Sequence, residues 1–234
     1  MKPAAILVVL LGLAVALAVA PVPAPAQAVP GEEAVYKPPL RGAPGRRIGG
    51  ASRGSNVAAA TIDLLAPDGH AGQTADAAPT LYYFVSRRID QPMQLTISAP
   101  RRAAPLLETN IPAPKGPGLY ALRLADFHVR LDENTLYTWS ISAVIDPRER
   151  ANDIVASASL LRTAPDPALD GRVRAAPPPR RAALLAQAGL WYDAVAAAAE
   201  TKDQDSHKAL DALLDQVGLT EPARFDRQNA RAAR

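Results

Sequence analysis

Residues 136–162, LYTWSISAVIDPRERANDIVASASLLR, decide the fold of this chain. Apolar or aromatic side chains alternate with threonine and serine from Tyr137 to Ile145, and the period of two returns from Ile154 to Leu161. This alternation is typical of β-strands that bury one face. Asp146-Pro147 ends the first strand because proline has no N–H for the ladder. The stretch predicts a β-hairpin with a short polar turn and with Trp139 in the core.

Five further strand-like runs precede this hairpin, at residues 58–65, 80–86, 93–98, 105–111 and 119–124. Turn signals such as Pro67-Asp68-Gly69 separate them, and residues 69–78 are small and polar, which predicts a loop. About seven strands at this spacing predict an immunoglobulin-like antiparallel β-sandwich. The Cys-Trp-Cys pattern of antibody domains is absent because the chain has no cysteine.

Composition changes after the hairpin. Residues 164–179 contain five prolines and predict a linker. Apolar residues at helical spacing then predict a helix over residues 180–202, which Gly189 kinks or divides. A second helix is predicted over residues 206–217, with Ser206 as its N-cap and Gly218 as its stop. The fold class is therefore mainly β with a C-terminal α-helical hairpin, and residues 221–234 are expected to form a fraying helical or a disordered tail.

The N-terminal residues have the pattern of an export signal. Lys2 precedes an apolar run at residues 4–20, and small residues place cleavage near Ala26 or Ala28. An uncleaved membrane anchor is the alternative, but the run is at the short limit for a span and prolines follow it. We expect a periplasmic or secreted protein with no stable membrane span after cleavage. The expected division is a signal peptide at 1–26, an extended Pro/Gly/Arg-rich leader at 27–55, a β-sandwich domain at 56–163, the linker at 164–179, and the helical hairpin and tail at 180–234.

Composition also narrows the function classes. The formal net charge of +3 is too small to predict a nucleic-acid partner. The absence of cysteine excludes zinc-ribbon, thioredoxin-like and cysteine-nucleophile chemistry. The three histidines lack metal-binding spacing, and no serine lies in a G-x-S-x-G motif. We expect no cofactor and no metal, and the sequence leans away from an enzyme.

A glycine- and arginine-rich stretch at residues 36–55 provides the first candidate binding residues, Arg46, Arg47 and Arg53. Guanidinium groups beside flexible backbone can bind an anion. The alternative, which we favour, is a basic loop that covers unpaired strand groups at an edge of the sandwich.

The predicted hairpin turn and the start of the C-terminal region provide two more sets of candidate binding residues. The turn set could supply acid–base carboxylates or an anion clamp, but we favour a turn held by Asp caps and Arg–Asp pairs. The C-terminal set is either an exposed aromatic pair that stacks on a ligand or, as we favour, a packing contact between helix and sheet with a hydrogen-bonded acid. The two sets are Asp146, Arg148, Arg150 and Asp153, and Trp191, Tyr192 and Asp193.

Three blocks of sequence together resemble the uncharacterised bacterial family known as domain of unknown function 928. The resemblance spans residues 38–219, and it implies exported bacterial proteins with no assigned activity, often encoded beside membrane sensors that carry an extracytoplasmic CHASE-type domain. The blocks are Gly42-Ala43-Pro44 through Ser52-Arg53-Gly54, Tyr137-Thr138-Trp139 with Asp146-Pro147-Arg148-Glu149-Arg150, and Gly189-Leu190-Trp191-Tyr192-Asp193-Ala194 followed by Val217-Gly218-Leu219.

These observations favour a non-catalytic periplasmic binding or interaction module. Its expected partner is such a membrane sensor or another component of the cell envelope. The alternative is a hydrolase of an envelope polymer that uses acids near the turn from Asp146 to Asp153. Carboxylates that converge in a cleft would favour the hydrolase, whereas carboxylates paired with Arg148 or Arg150 on a surface turn would favour the module. Binding of anionic ligands by Arg46 and Arg47 is a weaker third option.

Overall fold

A computed structural model describes residues 34–39, 43, 45–51, 60–201 and 203–232 of the 234-residue chain. The expected signal peptide at residues 1–26 and part of the expected leader lie outside the described residues. The described chain consists of two β-sheets followed by a helical region. The predicted order, mainly β and then α, is therefore confirmed.

The two sheets contain nine strands within the described residues. One sheet has the order β1-β2-β4-β7 and the other has the order β3-β9-β8-β5-β6. All strand pairs are antiparallel except β3 and β9, which are parallel. The strands are β1 (Gly50–Ala51), β2 (Thr61–Leu64), β3 (Gly72–Thr74), β4 (Thr80–Val85), β5 (Met93–Ser98), β6 (Leu107–Ile111), β7 (Gly118–Arg123), β8 (Thr135–Ala143) and β9 (Ile154–Arg162).

Strand β3 lies in residues 69–78, which the sequence predicts as a loop. Its three residues pair with the last three of β9, from Gly72 opposite Leu160 to Thr74 opposite Arg162. A strand this short has no recognisable alternation, and it exists because β9 offers it an open edge. The prediction of a loop is thus wrong for Gly72–Thr74. The prediction of a fully antiparallel sandwich is also wrong, because β3 and β9 are parallel.

The predicted hairpin lies at the centre of the larger sheet. β8 pairs with β9 along nine residues, and β5 pairs with the other edge of β8. Trp139 has no exposed surface, and its inward-facing neighbours in β8 are buried as well. The period-two pattern therefore predicted the correct buried face, because successive strand residues point to opposite sides.

The helical region contains five helices in the described residues, so the predicted two-helix hairpin is wrong. The proline-rich stretch starts helices because proline is tolerated in the first helical turn. Asp166 caps the first helix by accepting a hydrogen bond from the N–H of Ala168, and Gly189, with φ of +80°, separates the second helix from the third. The helices are α1 (Pro167–Ala175), α2 (Pro178–Gln187), α3 (Trp191–Ala199), α4 (Gln204–Gln216) and α5 (Thr220–Ala232).

Helix α4 differs from its prediction at one end. Asp203 is the N-cap, since its carboxylate accepts hydrogen bonds from the N–H groups of Asp205 and Ser206, and Ser206 is buried inside the helix. Gly218 follows the helix with φ of +73°, as its predicted role as a stop requires. Most of the expected tail forms α5, where Phe225 packs edge-on against Phe84 of β4 at 5.4 Å between ring centroids.

One hydrophobic core joins the sheets to the helices. The continuous cluster of buried side chains includes residues of both sheets and of α2, α3, α4 and α5. None of the helices in the described part of the chain is both long enough and apolar enough to cross a membrane. A site on this protein is consequently positioned by one connected core.

Candidate interaction site along strand β9

The turn between β8 and β9 uses its charged side chains to hold its own backbone. The carboxylate of Asp146 accepts a hydrogen bond from the N–H of Arg148 at 2.8 Å. The carboxylate of Asp153 accepts from the N–H of Ile145 at 3.1 Å and from Nε of Arg150 at 2.5 Å. Asp153 has a side chain only 2% exposed, whereas Asp146 lies at the surface. The two acids thus have different partners and different environments.

Arg150 also links the turn to the neighbouring strand. Its Nη2 donates to the side-chain oxygen of Gln94 in β5 at 3.2 Å. Arg148 has an exposed side chain, and only its backbone N–H takes part in the contacts of the turn described above. The guanidinium group of Arg148 is therefore presented to solvent beside a turn that is already held in place.

The basic stretch from Arg46 to Ile48 runs beside β9. Ile48 exchanges two backbone hydrogen bonds with Ser157 of β9, at 2.8 and 3.0 Å. The N–H of Arg46 lies 3.5 Å from Oγ of Ser159. The loop accordingly covers part of the β9 edge, which is the arrangement that we favoured from sequence.

The arginines of this stretch have separate environments. Arg46 is exposed. Arg47 turns away from β9, because its Nη1 donates to the carbonyl oxygen of Ala66 at 2.9 Å and its N–H approaches the carboxylate of Asp68 at 3.5 Å. Arg53 lies outside the described residues. Of the two described candidates, Arg46 is therefore the one that is exposed at the β9 edge.

Three large aliphatic side chains are exposed in the same region: Ile48 (47%), Ile145 (42%) and Val155 (44%). Ile48 and Val155 share the outer face of the sheet, because Ile48 pairs with Ser157 and side chains two residues apart on a strand face the same way. Ile145 follows the end of β8, where β9 begins. We call this surface the β9 corner, and it is made of Arg46, Ile48, Ile145, Arg148 and Val155.

The β9 corner unites residues that are distant in sequence. Two sequence-predicted sets, the basic stretch and the polar turn, each contribute one arginine, but the three aliphatic side chains were not candidates. The outward position of Val155 follows from the alternation in β9. The position of Ile48 depends on a single long-range bridge, and nothing in its local sequence indicates that bridge.

The third predicted set lies in the core. Trp191 and Tyr192 begin α3 and are almost fully buried. Nε1 of Trp191 donates to the carbonyl oxygen of Leu65 at 2.8 Å. The hydroxyl of Tyr192 accepts from Nε1 of Trp139 at 2.9 Å and donates to the carbonyl oxygen of Ser159 at 3.1 Å. Neither ring is exposed for stacking on a ligand.

Asp193 completes this contact between helix and sheet. Its carboxylate accepts from the hydroxyl of Thr74 and from the N–H of Ala75, both at 2.9 Å. Burial raises the pKa of Asp193 to about 6, and these hydrogen bonds oppose the increase because they favour the charged form. The three residues Trp191, Tyr192 and Asp193 therefore fix α3 to the sheets.

A cleft of about 410 Å³ lies between the N-terminal segment and the end of α4, where the sequence had indicated nothing. Oη of Tyr36 lies 2.8 Å from Nε2 of His70, and burial lowers the pKa of His70. Gln216 bonds to the N–H of Tyr36 and to the carbonyl oxygen of Ala34, both at 2.8 Å. The Gln216 side chain therefore holds the backbone of the N-terminal segment against α4, and the Tyr36 hydroxyl is paired with His70. Its lining residues are Tyr36, Pro38, Asp68, His70, Gln216 and Val217.

Within the described ranges, no group of three or more His, Asp or Glu side chains is placed to hold a metal ion. Residues 48–225 match the family model for a Domain of Unknown Function, DUF928. The chain belongs to this family. The match confirms the resemblance, although it begins at Ile48 and ends at Phe225. Neither a search of curated proteins nor a search of solved structures found a match.

Proposed function

We propose that this DUF928 protein is an exported, non-catalytic interaction module that acts in the periplasm or outside the cell. Its proposed partner is the extracytoplasmic CHASE-type domain of a membrane sensor or, failing that, another component of the cell envelope. The β9 corner is the observation that carries the proposal, since it exposes three aliphatic side chains beside Arg46 and Arg148. Apolar side chains bordered by arginine are typical of protein-binding surfaces.

The strand order supports an immunoglobulin-like scaffold for this module. One sheet contains the three adjacent strands β2, β4 and β7. The other contains the four adjacent strands β9, β8, β5 and β6. Immunoglobulin-like sandwiches have sheets of this kind. On such a scaffold, sheet edges and the turns between strands are the usual recognition surfaces.

The contacts of the turn favour binding over hydrolysis. Asp153 is paired with Arg150, and Asp146 caps the backbone of the same turn. A hydrolytic pair would need carboxylates that face a common substrate. The acids instead hold the surface that presents Arg148 and Ile145.

Site-specific crosslinking in the native cell tests the interaction. A photo-crosslinking amino acid replaces Val155 in the tagged protein, and the matched control carries it at Glu108, an exposed position on edge strand β6. We expect one membrane protein to be captured from position 155 and not from position 108. Equal capture from both positions, or no specific partner from either, would contradict the proposal.

Two variants connect such capture to the β9 corner. Val155→Asp and Ile48→Asp place a charge on the surface that the partner would desolvate, so each should abolish capture by a crosslinker at position 145. Both side chains are nearly half exposed, so the melting temperature should change little. Capture that survives both substitutions would show that the partner binds elsewhere.

Cell fractionation with N-terminal sequencing tests export. The mature protein should be recovered outside the cytoplasm and should begin at Gln27 or Val29, directly after Ala26 or Ala28. Recovery in the cytoplasm with Met1 retained would rule out the proposed location.

A further inference from the structure

We propose that a second cleft, between the outer face of the β4–β7 pair and helices α1, α2 and α3, binds a small organic monocarboxylate. The cleft has a volume of about 490 Å³, which is within the usual size range of small-molecule sites. It shares no residue with the β9 corner, so this inference stands apart from the proposed protein interaction.

Strands β4 and β7 form one side of the cleft. Thr80 of β4 lies directly opposite Arg123 of β7, and Tyr82 follows two residues later on the same face. Leu81 and Tyr83 point to the other face and are buried in the core. Three polar side chains, Thr80, Tyr82 and Arg123, are therefore directed from the sheet into the cleft.

Helix α3 forms an apolar wall. It contributes Ala196, Ala197 and Ala199, and Val173 of α1 adds a further aliphatic side chain. Alanine side chains end at Cβ, so they leave space between the helix and the strands. This wall suits the hydrocarbon part of a ligand, because such a group is stabilised when it leaves water.

Arg123 and Tyr82 supply unused donors. Arg123 forms no ion pair with an acid of the described chain, and the hydroxyl of Tyr82 has no hydrogen-bond partner there. Burial raises the pKa of Tyr82, with Arg123 opposing and Glu200 adding to the increase. A tyrosine hydroxyl is protonated at neutral pH and can donate to an anion, and the charges of Arg123 and Glu200 both act on it.

Charge balance indicates a single negative charge on the ligand. Arg181 donates through Nε to the carbonyl oxygen of Ala176 at 2.8 Å, and its Nη1 lies 3.7 Å from the carboxylate of Glu200. Glu200 thus balances one of the two arginines. Arg123 remains as the uncompensated cation, and its planar fork matches the two oxygens of a carboxylate. A dianion would meet the repulsion of Glu200, and a cation would meet the two arginines.

A titration with three probes of similar shape and different charge tests this assignment. Sodium benzoate, benzyl alcohol and benzylamine are added separately to the ¹⁵N-labelled protein, and amide chemical shifts are followed by NMR. We expect saturable shifts for Thr80, Tyr82, Arg123 and Glu200 with benzoate and none with the other two probes. Saturable binding of benzylamine, or no saturation by benzoate up to about 50 mM, a limit well above ordinary ligand affinities, would overturn the proposal.

Substitutions in the cleft should each change the affinity for benzoate in a defined direction. Arg123→Gln should weaken benzoate binding by about tenfold or more, because a charge-assisted pair is lost. Tyr82→Phe should weaken it less, and Glu200→Gln should strengthen it by removing the competing carboxylate. Arg130→Gln, at an exposed arginine outside the cleft, is the matched control and should bind as the wild type does. Weaker binding in Glu200→Gln, or equal weakening in Arg130→Gln, would contradict the assignment.

Discussion

The first turn of α3 and the turn between β8 and β9 both combine an acid with hydrogen-bonding neighbours, but they bond to different parts of the molecule. In the first turn of α3, the side chains of Trp191, Tyr192 and Asp193 form hydrogen bonds with residues that are distant in sequence, such as Leu65. Asp146 and Asp153 bond mainly to groups of their own turn. Substitutions in α3 should therefore affect the whole fold, whereas substitutions in the turn should affect only a local surface.

Truncation of Trp191 should have the largest effect. Trp191→Ala removes a fully buried indole, and the free energy of unfolding should fall by about 3–5 kcal/mol in denaturant titrations. Trp139→Ala should cost a similar amount, since both rings belong to one core. A loss well below 1 kcal/mol for Trp191→Ala alone would show that α3 is not needed to complete that core.

The buried acid of α3 should make stability depend on pH. Its pKa is about 6 in the folded protein against an ordinary value of 3.8. The folded chain holds this proton more tightly, so the stabilisation is complete only well below the ordinary pKa of 3.8 and is lost as the pH rises through about 6. Relative to Asp193→Asn, the wild type should lose about 3 kcal/mol of stability between a pH well below 3.8 and neutral pH.

Chemical denaturation across this pH range measures that dependence. Asp146→Asn is the comparison variant, because it changes an exposed acid of the turn and leaves Asp193 to titrate. It should keep the wild-type dependence between pH 4 and 7. If Asp193→Asn also kept the wild-type dependence of stability on pH, a group other than Asp193 would be responsible for that dependence.

Removal of one hydroxyl from α3 should have an intermediate effect. Tyr192→Phe leaves the indole N–H of Trp139 without its acceptor, and an unsatisfied buried donor costs about 1–3 kcal/mol. Tyr82→Phe is the matched control, because the hydroxyl of Tyr82 has no hydrogen-bond partner in the described chain. Thermal denaturation should separate the two variants, and equal melting temperatures would show that the Tyr192 hydroxyl does not fasten the helix.

The smallest effect is expected in the turn. Arg150→Lys keeps a cation beside the carboxylate of Asp153, whose side chain is only 2% exposed, and it changes an arginine that is itself 50% exposed, so the free energy of unfolding should fall by less than about 1 kcal/mol. Denaturant titration should thus give nearly the wild-type value, with amide shifts limited to residues near Asp153 and Gln94. A loss as large as that of Tyr192→Phe would remove the contrast between the two regions.

The parts of the fold that the sequence predicts are those with a local signal. Six of the nine strands were predicted within two residues at each end, because alternation and proline are read within a few positions. Helix α1 was missed because proline-rich sequence resembles a linker, while the cap at Asp166 allows Pro167 to start a helix. Strand β3 was missed because its pairing depends on β9, almost ninety residues away.

The candidate site was predictable to a smaller extent. The contacts of Asp146 and Asp153 follow from turn chemistry, and they agree with the favoured alternative. The burial of Trp191 and Tyr192 depends on where Leu65, Trp139 and Ser159 lie in space. The β9 corner depends on the bridge between Ile48 and Ser157, and the cleft at Arg123 depends on how α3 packs on β4. Such placements are fixed by tertiary packing and have no local signature.

The hydrogen bonds that attach the N-terminal segment to α4, and α3 to the sheets, have a consequence for the order of folding. Tyr36 bonds to Gln216, which is 180 positions later, and Trp191 bonds to Leu65 across 126 positions. Contacts of such separation form late, because a long loop must first be closed. During synthesis, the strands emerge well before the helical segments that cover their apolar surface. The native state is therefore reached only after α4 has left the ribosome, and until then the nascent chain exposes apolar strand surface that the helices later cover.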